Sequence, residues 1–210
     1  MAQKSIRPKL WFTSDPHAGH RNILKFCPKR SKAVGDLKNI SKHDDIIVKR
    51  WNSVVKPEDT VIIAGDITIG RSTEYVKKFI SRLNGKLILV RGNHDRKGYH
   101  YYIKLGFAWV CEEMRLNVAG RRVLISHYPY RLSKLKRLWL GFKLFVLREK
   151  LYDSKLMDKR PVDDGSILLH GHTHQQDKVR GNMIHIGLDS WDMFPVSEDS
   201  IQKLISRMKK

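Results

Sequence analysis

Cysteine is nearly absent. Cys27 and Cys111 are the two in 210 residues. They lie far apart and without CxxC spacing, which excludes a disulfide scaffold and a zinc ribbon and points to a reducing, cytoplasmic setting. Long apolar runs are missing too. No stretch approaches the roughly 18 apolar residues of a membrane span, and the basic start from Met1 to Lys9 leads into no secretory h-region. Neither an internal repeat nor a low-complexity tract is present. Acidic residues are scarce, with 21 Asp and Glu against 41 Lys and Arg, a net charge of +20. A folded chain of this size exposes on the order of 10,000 Å². So strong a positive field favours polyanions such as nucleic acid, nucleotides or an anionic membrane surface.

What is present reads as one globular domain over 1–210. Leu10 to Ser14 is a short strand running into Asp15-Pro16. Ser41, with Asp44 in capping-box spacing, predicts a helix start, and Ile47, Trp51, Val54 and Val55 give its apolar stripe before Pro57. Thr60 to Ala64 and Lys86 to Val90 are continuous apolar runs, as in strands buried on both faces. Between them Val76, Phe79, Ile80 and Leu83 predict a helix closed by Asn84-Gly85. From Met114 the pattern alternates, giving a hairpin across Ala119-Gly120. Ile167 to His170 and Met183 to Ile186 are two more strands. The order predicts a mixed α/β sandwich with two sheets inside and helices outside.

One segment stands apart. Residues 131–160 hold ten Lys and Arg against three Asp and Glu, together with Trp139, Phe142, Phe145 and several leucines. A basic, apolar, helical insertion is expected there. It would serve as a lid, a nucleic-acid handle, a membrane-surface helix, a core extension, or a dimer or partner contact.

Five clusters end strands or open loops: Asp15-Pro16-His17, Gly65-Asp66, Gly92-Asn93-His94-Asp95, His127, and Gly171-His172-Thr173-His174. In extended backbone an Asp-x-His or His-x-His pair presents both side chains on one face. Two such pairs plus isolated donors can fill two adjacent metal sites. The mixed carboxylate, amide and imidazole set suits Mn²⁺, Fe or Zn²⁺, and the glycines before Asp66, Asn93 and His172 permit close backbone approach.

In this order the clusters resemble the calcineurin-like metallophosphoesterase family. Flanking strings such as WFTSDPHAGHRNI, RRVLISHYPY and IHIGLDSWDMFPVS resemble a small bacterial and phage subgroup of it. The resemblance implies a four-layer αββα sandwich of two mixed sheets. It also implies two divalent metals, Mn²⁺ foremost with Fe, Zn²⁺ or Ni²⁺ as alternatives. One would be held by Asp15, His17 and His174, the other by Asn93, His127 and His172, with Asp66 bridging. His94 would assist the leaving group and Asp95 would orient its ring. Chemically, two cations about 3.5–4 Å apart clamp a phosphoryl group and activate a bridging hydroxide for in-line attack. A leaving-group proton donor adds about 10²–10⁴-fold.

His20 and Asn22 are read as phosphate contacts or local helix-start residues, and Arg91 as a phosphate fork or a surface ion pair. Tyr128 and Tyr130 are read as pocket wall or packing, and His170 and His185 as structural. His43 and His100 receive no role. The preferred expectation is a phosphodiesterase on a nucleotide or nucleic-acid substrate. The alternatives are a membrane-surface pyrophosphatase on a lipid-linked nucleotide, with peripheral membrane contact through 131–160, and a non-catalytic metal-binding interaction module.

Overall fold

The computed structural model describes residues 7–131 and 158–208. The basic insertion expected at 131–160 therefore falls outside the described residues over 132–157.

Two mixed five-stranded sheets face each other, flanked by helices. The first contains β1 (Leu10–Thr13), β2 (Thr60–Ile63), β3 (Lys86–Val90) and β4 (Trp109–Cys111), all parallel. A short β10 (Val196–Ser197) pairs antiparallel with β1, so the order is β10-β1-β2-β3-β4. The second sheet contains β5 (Glu113–Val118), β6 (Arg121–Ser126), β7 (Ile167–His170), β8 (Val179–Arg180) and β9 (Met183–His185) in the order β5-β6-β7-β9-β8. Within it β6, β7 and β9 run parallel.

The apolar runs are buried on both faces for a visible reason. Val61, Ile63, Leu87 and Leu89 pack with Ile47, Trp51, Val76 and Phe79 from α3 (Ile40–Val54) and α4 (Thr73–Ile80). Their alternating neighbours Ile62, Ala64 and Val90, with Phe12, face the second sheet and meet Val123, Ile125, Ile167, Leu169 and Ile184. The period of two thus splits each strand between two cores. Ile201 and Ile205 of α6 (Glu198–Arg207) join the inter-sheet core. The β5–β6 hairpin turns on Ala119 (φ 52°) and Gly120 (φ 72°), the left-handed pair that a two-residue loop requires.

Two local expectations need correction. The α3 cap is Asn39, whose side chain accepts from the Lys42 amide, and not Ser41. Asp44 makes no capping box, because its carboxylate is turned inward onto the Gly19 amide at 3.0 and 3.1 Å. In addition, α4 ends at Ile80, and Arg82 and Leu83 continue as i→i−3 turns that still bury Leu83. The short helices α1 (Ile23–Phe26), α2 (Pro28–Val34) and α5 (Tyr99–Lys104) have no clear periodicity in sequence. Tertiary contacts decide them.

Candidate metal centre

All five clusters sit just beyond the C-terminal ends of parallel strands. β1, β2 and β3 lead to Asp15, Asp66 and Asn93, and β6 and β7 lead to His127 and to His172 and His174. Parallel neighbours end on the same edge, so residues scattered over the chain converge there.

The convergence is not by strand pleat. Asp15, His17, Asp66, His172 and His174 all have positive φ, at 58°, 48°, 58°, 68° and 48°. The expectation of an extended Asp-x-His pair is therefore corrected. The strands end earlier, and left-handed turns aim the side chains. Such residues cost on the order of 1–3 kcal/mol each and persist only where the surroundings hold them. The loops hold one another here: the Asp15 amide donates to the Gly65 carbonyl, and the His17 amide to that of Asp66, both at 3.0 Å. Two glycines are required by close approach. A Cβ on Gly92 would strike the Asp66 carboxylate, and one on Gly171 would strike Ser14 Oγ and the Asp15 carboxylate.

Each carboxylate has one oxygen tied down and one pointing into the cleft. Asp15 Oδ2 accepts from the His172 amide at 2.9 Å, while buried Asp15 Oδ1 has no hydrogen-bond partner. Asp66 Oδ1 accepts from the His94 amide at 2.9 Å. Its Oδ2 stands 3.7 Å from His17 Nε2 and 3.5 Å from His127 Nε2. Asp15 Oδ1 stands 3.6 Å from His17 Nε2 and 3.8 Å from His174 Nε2. Bonds of about 2.0–2.2 Å to a shared cation put neighbouring donors roughly 3–3.5 Å apart. The observed separations are too long for hydrogen bonds and suit donors flanking an ion. His17 Nε2 is likewise buried with no hydrogen bond. Among the described residues three groups form, Asp15/His17/His174, Asp66/His127/His172 and Cys27/His174/Asp189, and within each the ligand atoms all lie within 4.8 Å of one another; the first two open on the cleft. Asn93 Oδ1 joins the second at 2.9 Å from His127 Nε2. These residues fit a pair of divalent cations.

The electrostatics follow from burial. Desolvation holds His17 down at about 3 and His172 at about 4. Burial would raise Asp15, yet His17, His174 and His127 hold it well below the usual carboxylate range. Asp66 goes the other way. Burial, with the charges of Asp15 and Asp95 working against the pull of His127, pushes it up to about 7. Burial opposes a charged His174, but the Asp189 hydrogen bond, with Cys27 and the charges of Asp15 and Asp189, raises it to about 10.

His94 lines the same cleft with its Nε2 3.9 Å from Asp66 Oδ2, and burial holds it neutral, at about 4. Asp95 does not orient that ring. Its Oδ2 accepts from the amides of Asp66 (2.7 Å) and Gly92 (2.9 Å) and its Oδ1 from that of Ile67 (3.2 Å), so the carboxylate braces the two loops. Arg91 is the ion-pair residue of its two readings. It donates to Glu112 at 2.8 Å and to the Asp95 carbonyl at 3.0 Å, facing a neighbouring pocket. His20 and Asn22 do line the cleft, a cavity of about 1010 Å³ that also carries Ile23, Ile69 and the 70% exposed ring of Phe26. The Tyr128 ring packs on His127 and His172, and the Tyr130 hydroxyl donates to the Ser166 carbonyl.

Two residues escaped the sequence reading. Asp189 Oδ2 lies 2.8 Å from His174 Nδ1, and fully buried Arg30 grips the same carboxylate. Asp189 lies inside the string IHIGLDSWDMFPVS, so a signal existed for it. Arg30 sits among surface-like lysines and gave none.

The clustered Asp and His donors suit a metal-dependent phosphoesterase, and comparison with known proteins agrees. The chain belongs to the calcineurin-like phosphoesterase family, whose profile matches residues 8–201, and it is a metal-dependent phosphoesterase. It is similar to the gene 66 proteins of two mycobacteriophages. The phage L5 protein is 29% identical over 221 residues, 94% of each chain. The phage D29 protein is 30% identical over 210 residues, 90% of this chain and 92% of that one. Among solved structures it resembles AQ665 of Aquifex aeolicus, a protein of unknown function. That match has a TM-score of 0.62 and 24% identity over 94% of this chain and 99% of the other, a likeness of fold. Among the described residues no helix is long and apolar enough to cross a membrane.

Proposed function

We propose that the chain is a phosphodiesterase acting on a nucleotide or nucleic-acid substrate. The observation that carries the phosphoryl chemistry is the position of Asp66 Oδ2, within 3.7 Å of a donor from each of the two cleft groups. In this reading Asp15, His17 and His174 hold one divalent cation, Asn93, His127 and His172 hold the second, and Asp66 is shared. When bound, the pair supplies Lewis acidity toward phosphoryl oxygens and lowers the pKa of water. The rest falls to the chain. Each carboxylate offers the oxygen its backbone partner leaves free. His127 donates through Nδ1 to the Ala64 carbonyl at 2.8 Å, which leaves Nε2 as the ligand atom. His94, neutral and 29% exposed, presents an N–H to the leaving oxygen as charge builds there. In this reading His20 and Asn22, which line the cleft, meet the non-reacting phosphate oxygens.

Support for the substrate class comes from two features of different kind. The net charge of +20 favours a polyanion. The cleft pairs its polar floor with an exposed aromatic, Phe26, which suits a nucleobase stacking beside the scissile phosphate. The test is a Mn²⁺-supplemented screen of p-nitrophenyl mono- and diesters, cyclic nucleotides, single- and double-stranded DNA and RNA, and a lipid-linked nucleotide. Turnover of nucleotide diesters, with affinity falling steeply from low to physiological salt, is expected. Turnover confined to the lipid-linked substrate, or affinity indifferent to salt, overturns the substrate reading and favours the membrane-surface pyrophosphatase.

A further inference from the structure

Beside the cleft lies a second cavity, of about 410 Å³, walled by Arg91, Glu112, Glu113, Ser126, Tyr128 and Lys159. Small-molecule sites commonly span about 300–1,000 Å³. The cavity borders the same donors as the cleft does. Gly92, also in its wall, precedes Asn93, and the Tyr128 ring packs on His127 and His172 with centroids 4.9 and 5.2 Å apart.

One part of this wall is fixed. Arg91 Nη1 donates to Glu112 Oε1 at 2.8 Å and its Nε to the Asp95 carbonyl at 3.0 Å. The Tyr99 hydroxyl donates to the same Glu112 oxygen at 3.1 Å, and Ser126 Oγ accepts from the Tyr128 amide at 3.3 Å. The other part is unspent. Glu113 stands opposite Ser126 in the β5–β6 register, on the same face of the sheet. Among the described residues the Glu113 carboxylate, the Tyr128 hydroxyl and the Lys159 ammonium have no hydrogen bond or ion pair. The charges of the wall, Arg91 and Lys159 against Glu112 and Glu113, sum to zero on a chain whose net charge is +20. A balanced wall exerts little pull on a phosphate, whereas unpaired donors and acceptors hold an uncharged polar group.

We propose that this cavity is a second substrate subsite, which takes the uncharged nucleoside on one ester arm of a diester while the Phe26 cleft takes the other arm. The proposal rests on the nucleotide reading above and narrows it to diesters that carry a nucleoside on each side of the scissile phosphate. The Glu113 carboxylate accepts from N–H or O–H groups of the nucleoside, and the Tyr128 hydroxyl donates to a ring nitrogen or carbonyl oxygen.

The test compares dinucleoside monophosphates with bis-p-nitrophenyl phosphate, which has no nucleoside, on the full-length chain with Mn²⁺. Glu113→Ala should lower kcat/KM on the dinucleoside substrates about 10-fold relative to the nitrophenyl diester, mainly through KM. Tyr128→Phe keeps the ring on His127 and His172 and should lower the same ratio about 2–10-fold. A ratio that neither variant moves overturns the proposal. A ratio raised by Glu113→Ala overturns it too, because losing a negative charge helps only if the cavity takes a phosphate. Calorimetry with a dinucleoside methylphosphonate, which is uncharged, reads binding apart from turnover. Glu113→Ala should weaken that binding about 10-fold, and equal affinity overturns the proposal. A wild type that hydrolyses the nitrophenyl diester but no dinucleoside monophosphate overturns the nucleotide reading, and the proposal with it. Hydrolysis of both, with a ratio indifferent to both variants, overturns the proposal alone.

Discussion

The two donor groups use similar residues and are built differently. Asp15, His17 and His174 sit over a buried charged network, with Arg30 and Asp189 beneath them. His127 leans on a neutral partner, the Ala64 carbonyl, and the Tyr128 ring packs on both His127 and His172. Asp66 stands between them, its Oδ2 3.7 Å from His17 Nε2 and 3.5 Å from His127 Nε2. Burial and two nearby carboxylates raise it to about 7, while Asp15 is held low by the histidines around it. The lesson is that similar donors can stand on different supports, a carboxylate behind His174 and a carbonyl behind His127.

Removing the shared carboxylate should break the comparison most severely. Asp66→Asn is expected to cost more than about a thousandfold in turnover, since it strips the donor common to both groups. The same substitution should stabilise the metal-free protein. A carboxyl raised in the folded state binds its proton more tightly there than in the unfolded chain. Stability is therefore lost as pH rises from about 4, the unfolded value, to about 7, and the loss persists above that. Melting curves of metal-free wild type and Asp66→Asn should coincide near pH 4 and separate by at least about 1 kcal/mol at pH 8. A wild type that matches or exceeds the variant at pH 8 would refute this reading of Asp66.

His94 touches Asp66 but belongs to neither group. His94→Ala should retain two Mn²⁺ per chain and lose about 10²–10⁴-fold in kcat on substrates with poor leaving groups. A smaller loss is expected on p-nitrophenyl esters, whose leaving group needs little help. Equal losses on both would remove the leaving-group role. The smallest effect is expected at the cleft rim. Phe26→Ala should raise KM for nucleotide diesters about 5–10-fold with kcat little changed, and Phe26→Trp should restore it. Recovery by Phe26→Leu would mean an aliphatic partner in place of a stacked base.

The strands that position the site were legible because each is a short apolar run with few alternatives. Thr60 to Ile63 and Lys86 to Val90 lie where their composition put them. The helix ends were less legible. Asn39 and Ser41 are both competent caps, and the choice fell to the Gly19 amide, which draws Asp44 inward. Asp95 shows a similar limit: its place beside His94 suggested a partner for that ring, whereas the Asp66 and Ile67 amides of a distant loop and the Gly92 amide of its own loop claimed it.

The order of the motifs, through its resemblance to the calcineurin-like phosphoesterases, pointed to the reaction class. The family match spans residues 8–201, a range that includes all of the motif donors. Folding settled which oxygen of each carboxylate is left free, which ring nitrogen faces inward, and that Arg30 and Asp189, 159 positions apart, share one buried contact. A linear string records which donors exist. Their orientation depends on backbone torsions and on amides from other loops, and those meet only when the two sheets close on each other.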